Sequence, residues 1–235
     1  MAGAEIIASR ACAEEMKERP AEELAALQRN WQQLGPGGAF LHEVMGNKFK
    51  WDDVKNTLPT RVFDDELRLE VGDKAVLLKT VGPAHTKGDV LVHVPADRTV
   101  FTGDILFVEG HPVLWAGPVD NWVSACDQII AWDVETVVPG HGPITDRKGV
   151  QALKDYLLYI KAEARRRYDA GMSVFQAARD IALDRFAGWG DAERMVVNVA
   201  SLYREFGSRQ ELGIMELFAE MGRFHAERNG HGHAH

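Results

Sequence analysis

Cysteine is scarce in this chain. Cys12 and Cys126 are the only two in 235 residues, and they stand far apart, outside any C-x-x-C spacing. A disulfide framework and a cysteine-built zinc site are thereby excluded, and a reduced, cytoplasmic protein with two bystander thiols is expected. No run approaches the roughly 18 consecutive apolar residues of a membrane-spanning helix, so no membrane partner is expected. The opening residues Met1 to Ile7 carry neither a basic segment nor a long apolar one, and no secretory signal is read there. Positive charge is in deficit: 27 Lys and Arg against 35 Asp and Glu leave a formal charge of −8. Such a surface repels polyanions, which speaks against nucleic acid as a partner. The one basic run, Arg165-Arg166-Arg167, lies between Glu163 and Asp169 on an expected helix and reads as a solvated face.

What is present suits a globular domain. The chain is 46% hydrophobic and 26% charged, with enough length to bury a core. Residues 1–145 read as mixed α/β, residues 146–228 as a helical extension, and residues 229–235 as a His-rich tail expected to fray. A short strand is expected near Glu5-Ile6-Ile7-Ala8, then helix from about Ala11 to Gln33, broken at Pro20. Gly35-Pro36-Gly37-Gly38 reads as a stop and the one linker-like stretch. From Leu58 the period becomes two. Leu67, Leu69 and Val71 run into a Gly72-Asp73 turn and back along Ala75 to Val81. Val90–Val94 and Thr99–Thr102 form a second pair, and Thr136-Val137-Val138 a further strand. Between them, Trp122, Val123, Cys126, Ile129 and Ile130 mark one face of a helix. In the second half, Asp146 reads as a helix cap, Gly171 as a stop, and Asp191 as another cap. Ser173 to Gln176 and Ser208 to Glu211 both fit a capping box.

Three short pieces stand at strand ends and carry the chemistry: Gly82-Pro83-Ala84-His85-Thr86-Lys87-Gly88-Asp89, Phe101-Thr102-Gly103-Asp104, and Val138-Pro139-Gly140-His141-Gly142-Pro143. Each runs an apolar strand into a turn where glycine or proline lets the backbone bend, exposing a His or Asp at the tip, where α/β proteins place ligands. Two imidazoles and a carboxylate suit Zn²⁺, or Mn²⁺ or Fe²⁺. Singly each motif is weak; their order and strand context carry the signal.

Together they resemble the second part of the metallo-β-lactamase fold, over roughly residues 60–145. The resemblance implies an α/β fold of the αββα sandwich type, with the C-terminal helices as an extension. It implies a binuclear metal hydrolase acting on an ester, thioester, lactone or amide-type bond of a small molecule. His85 would be a ligand of the first metal, Asp104 would bridge both, and His141 would close the second site. Ala84 stands where glycine is more usual. The loop after Asp104 lines the substrate pocket in relatives, which makes His111, Trp115 and Lys87 candidates for substrate contact.

One departure bears on function. The family's other ligands come from an upstream H-x-H-x-D-H motif. Residues 1–84 contain only His42, and no Asp-His dipeptide occurs in the chain. The resemblance therefore implies an N-terminally truncated domain in which three surviving ligands are shared between two metal positions. An impaired hydrolase is expected. The alternative is a non-catalytic remnant or a binding module that depends on a partner; a separate chain supplying the motif is a third reading. Missing strands would leave an exposed sheet edge open to a homo-oligomer or a partner chain. His93, inside a strand, reads as a packed histidine. His231, His233 and His235 read as a weak surface chelator.

Overall fold

The computed structural model describes residues 3–19, 21–46, 48–51 and 54–230. Of the His-rich tail, residues 231–235 fall outside these, as does Pro20, while Asn229 and Gly230 belong to the last helix. Strand β1 (Ile7–Ser9) pairs in parallel with β2 (Arg61–Phe63) to make a small sheet. The main sheet has five strands in the order β3-β4-β5-β6-β7: Glu66–Val71, Lys74–Thr80, Val90–Val94, Thr99–Phe107 and Thr136–His141. The first three junctions are antiparallel and the last, β6 to β7, is parallel. Its two strands are joined through helix α4 (Val119–Ala131), as a parallel crossover requires.

Pairing register sorts the side chains of the main sheet. Leu77, His93, Val100 and Val137 align on one face, and Leu78, Val92, Phe101 and Val138 on the other. The first face is sealed: Val100 and Val137 are fully buried, in one cluster with Trp122, Cys126 and Ile129 of α4. His93 is buried there too, stacked on Trp132 at 4.4 Å. The second face is apolar but open towards β3, where Val71 is 59% exposed, and Phe101 remains 46% exposed. β3 pairs only with β4, so it is one edge of this sheet among the described residues, β7 being the other.

The helical segment comprises α5 (Arg147–Asp169), α6 (Val174–Asp180), α7 (Met195–Glu205) and α8 (Ile214–Gly230). It has no separate core: Leu153, Leu157 and Ile160 of α5 and Val196, Val199 and Leu202 of α7 belong to the same buried cluster as the sheet. Asp146 caps α5 by accepting from the Lys148 backbone N–H, and Ser173 and Gln176 form the expected capping box of α6. The other box does not form. Helix α8 starts six residues beyond Ser208, whose hydroxyl instead accepts from Gln210 N in an extended stretch. Asp191 stands at the N-cap of the 3-10 turn Ala192–Arg194 that leads into α7, but its side chain makes no capping bond; it sits in the left-handed region with its carboxylate on Arg194 at 3.0 Å.

The N-terminal helices α1 (Arg10–Glu18) and α2 (Ala21–Arg29) flank Pro20. Gly35-Pro36-Gly37-Gly38 departs from the expectation of a linker. It opens helix α3 (Gly35–Leu41), buried under α8. The glycines serve close approach: a Cβ on Gly37 would overlap the Met215 carbonyl, and one on Gly38 would meet Leu34 Cβ at 2.5 Å. Tight packing against a later helix selects glycine here as strongly as a turn does.

Candidate functional site

His85, Asp104 and His141 lie 56 residues apart at the extremes, and the fold brings them together. His85 Nε2 stands 3.4 Å from Asp104 Oδ2, and His141 Nε2 stands 3.4 Å from Asp104 Oδ1. The carboxylate thus sits between two imidazoles and presents a different oxygen to each. Neither contact has the alignment of a hydrogen bond.

Each of the three positions has a local cause. Gly103 holds φ at +49° inside β6, where the register against β7 shifts, so Asp104 lies within the strand just past this irregularity and not at its end, as the sequence suggested. Gly140 must lack a side chain, because a Cβ there would overlap Asp104 Oδ1 and come within 2.7 Å of the Gly103 carbonyl. Gly142, at φ +90°, lets the chain pass the Val108 carbonyl, while Val108 N donates to His141 O at 3.0 Å. His141 is stacked on Phe107 at 4.4 Å and 13°. Asp89, at the end of the first loop, accepts from Thr86 N and from Thr86 Oγ1 at 2.7 Å. Burial raises its carboxyl above the usual range. Ala84 is fully buried, so its methyl is packed inside the loop.

The tautomer of His85 follows from its surroundings. Its Nδ1 lies 2.8 Å from the Val113 carbonyl, which can only accept, so Nδ1 carries the proton. In the neutral form of the ring, Nε2 is left with a lone pair on the side of the Asp104 carboxylate. A lone-pair nitrogen and a carboxylate oxygen at this separation, in that form, leave a gap suited to a cation. Tetrahedral coordination with bonds of roughly 2.0–2.1 Å separates neighbouring ligand atoms by about 3.3 Å, close to the observed 3.4 Å. Each His–Asp pair therefore matches one edge of a coordination tetrahedron. The donor count is short: among the described residues no three His, Cys, Asp or Glu side chains close around a single position.

The loop that holds Val113 is itself held by α7. Fully buried Asn198 accepts from Leu114 N at 2.8 Å and donates to Pro112 O at 3.0 Å. Ser201 Oγ donates to Leu114 O, and Arg194 donates to His111 O at 2.8 Å. Glu205 Oε1 accepts from Val119 N, tying the start of α4 to the same helix. None of these was singled out from sequence. The one available signal was an amide set in the apolar run Val196-Val197-Asn198-Val199-Ala200.

The candidate contact residues separate. Lys87 and Trp115 line one cavity beside the His85 loop. His111 lies outside it, fully buried among Tyr156 and Trp189, with neither ring nitrogen hydrogen-bonded among the described residues. Trp122 belongs to the core, its Nε1 donating to Ile105 O at 2.8 Å and its ring meeting His85 edge-on. Among the described residues, no helix is long and apolar enough to cross a membrane.

Comparison with known proteins bears on the fold. The stereoselective inverting sec-alkylsulfatase Pisa1 from Pseudomonas sp. superposes with a TM-score of 0.60 over 88% of this chain, at 13% identity. A metallo-beta-lactamase family protein from Thermus thermophilus superposes with a TM-score of 0.57 over 91% of this chain, at 14% identity. A metallo-beta-lactamase from Pontibacter korlensis matches 44% of this chain at 19% identity, with a TM-score of 0.41. The chain spans 37% of the alkylsulfatase, 50% of the Pontibacter protein and 70% of the Thermus protein. No curated protein matches the sequence. The family model described as the metallo-beta-lactamase superfamily matches residues 9–141, which include all three converging side chains. The chain belongs to the metallo-beta-lactamase superfamily, whose members generally bind metal, usually zinc.

Proposed function

We propose that His85, Asp104 and His141 are the metal ligands of a hydrolytic centre acting on an ester, thioester, lactone or amide-type bond. The observation that carries this reading is the Asp104 carboxylate between two imidazole nitrogens at 3.4 Å, with the His85 Nδ1 proton committed to the Val113 carbonyl. A ligating histidine characteristically donates its other ring N–H to such an acceptor. Asp104 is the shared ligand, with one oxygen towards each imidazole; Zn²⁺ is the favoured ion, with Mn²⁺ and Fe²⁺ compatible. Divalent ions held there would polarise the scissile oxygen and acidify a water. Val113 and Gly140 keep the donors aimed, and Phe107 restrains the His141 ring.

The donor count sets the expected activity. A catalytic zinc takes three protein ligands, whereas each position here receives one imidazole and a share of one carboxylate. Turnover by this chain alone is therefore expected to be impaired. The alternative, a non-catalytic binding module, draws support from the half-exposed apolar face around Phe101 and Val71 and from the unpaired β3 edge, which suit a second copy or a partner chain.

Metal analysis after dialysis against a mild chelator tests both readings. The sample is the full chain with His231, His233 and His235 changed to Ala, so that the tail cannot hold metal. Less than one metal per chain is expected, with weaker zinc binding on titration that Asp104→Ala removes. Zinc binding indifferent to Asp104→Ala overturns the ligand assignment. Two retained metals, with ester or lactone turnover lost on Asp104→Ala, overturn the impairment. Size-exclusion chromatography of the same sample addresses the alternative, which expects self-association; a clean monomer counts against a second copy on the open face.

A further inference from the structure

A cavity of about 530 Å³ opens beside the His85 loop, within the range of small-molecule sites. One wall is the loop pair that positions His85: Thr86 and Lys87 from one loop, Trp115 and Ala116 from the other. Ala116 N donates to His85 O at 3.2 Å and Gly117 N to Ala84 O at 2.9 Å, so this wall and the candidate metal ligand move as one unit. The opposite wall is apolar and comes from the C-terminal helices, with Val197 and Ala200 on α7 and Leu217 and Phe218 on α8. Phe218 reaches across to Trp115, ring to ring at 6.3 Å.

Charge on the lining runs against that of the chain. Arg19, Lys87 and Arg204 contribute three cations, and Glu15 one carboxylate. Lys87 has a loose ion pair with Glu18 at 3.5 Å, with both side chains more than half exposed, a pairing that holds it weakly. Arg204 donates to two neutral acceptors, Ser201 Oγ at 2.8 Å and Trp115 O at 3.4 Å. A guanidinium carries five donor hydrogens, so a fork fixed by these two bonds retains donors for an anion. The chain carries −8 overall, which makes a cationic rim around an apolar hollow a local feature.

We propose that this cavity binds an organic anion with an alkyl body, its anionic group on Arg204 and Lys87 and its apolar part against α7 and α8. As the site of the substrate's body, this rests on the hydrolase reading above; as a binding site, it does not. The recognised chemistry is a singly charged head, carboxylate or sulfate, on a medium-length chain.

Isothermal titration of the full chain with decanoate and with decyl sulfate, each below its micelle concentration, tests this. One saturable site per chain is expected for both, and none for decyltrimethylammonium. Arg204→Gln, which keeps a donor for Ser201, should weaken binding by about tenfold, the loss of one charge-assisted hydrogen bond. Ala200→Phe should abolish binding by filling the cavity. Equal binding of decyltrimethylammonium, or decanoate binding that survives Ala200→Phe, overturns the proposal. Should Ala200→Phe fail to fold, the Arg204→Gln, Lys87→Gln double variant decides: unchanged affinity overturns it and lost affinity supports it. A negative titration leaves the metal analysis standing, and a negative metal analysis leaves the titration standing.

Discussion

His111 should make this protein acid-sensitive, and the size of the effect follows from where the ring sits. It is fully buried, against Tyr156 at 5.1 Å and Trp189 at 5.8 Å, with no hydrogen-bond partner for either nitrogen among the described residues. Burial is the main cause that pushes its pKa from the ordinary 6.5 down to about 4. Arg228 and Arg194 push the same way, while Asp191 and the nearby Phe186 backbone, too poorly placed for a hydrogen bond in this geometry, oppose them. The sign is fixed by which state holds the proton. Above pH 6.5 the ring is neutral folded or unfolded and contributes no pH dependence. Between 6.5 and about 4 the unfolded chain takes up a proton that the folded chain refuses, so stability falls as the pH falls. The gap between the two pKa values, at roughly 1.4 kcal/mol per pH unit, is worth about 3 kcal/mol by pH 4. Urea unfolding of the wild type and of His111→Leu, at half-unit steps from pH 7.5 to 4, isolates this from every other carboxylate and histidine. The stability difference between the two proteins should be constant above pH 6.5, then move by about 3 kcal/mol in favour of the leucine variant by pH 4. Parallel curves across that window would refute the reasoning and mean that the ring finds a partner when protonated.

Two further expectations are simpler. Gly140→Ala should destabilise the fold by about 1–3 kcal/mol in urea, because the added methyl meets the Gly103 backbone as well as Asp104, and backbone cannot swing aside. Gly188→Ala, which has open space and ordinary φ, is the control and should stay within roughly 0.5 kcal/mol; equal effects would remove the steric account of the Pro-Gly-His-Gly loop. Ser173→Ala removes the capping box of α6 and should cost about 1 kcal/mol by thermal or urea unfolding; no loss would mean that packing of Val174 and Ala177 alone sets the start of that helix.

What could be read in advance divides by the range of the interaction. The β3–β4 hairpin, the Asp146 cap and the Ser173 box depend on neighbours a few residues away, and there the pattern and the structure agree. The convergence of His85, Asp104 and His141 is long-range, yet it was legible because each motif combined an apolar strand, a glycine and a ligand-type side chain, although Asp104 proves to lie within β6 and not at its end. Where one local pattern serves two purposes, the structure chose by packing. Gly35-Pro36-Gly37-Gly38 has the composition of a linker, but Gly37 and Gly38 are small because Met215 and Leu34 press on them. Ser208 to Glu211 has the letters of a capping box, but the helix it would start is displaced to Ile214.

The support of the site was the least legible part. Asn198 offers only a single amide in an apolar helix, and its role appears once Leu114 and Pro112, more than 80 residues earlier, are seen against it. From there the line of force is short: Asn198 and Ser201 fix the loop, the Val113 carbonyl in that loop accepts from His85 Nδ1, and Nε2 is thereby held on the side of Asp104. The helical segment is thus tied into the site. It sets the tautomer of one candidate ligand and walls the cavity beside it, so the two halves of the sequence act as one structural unit.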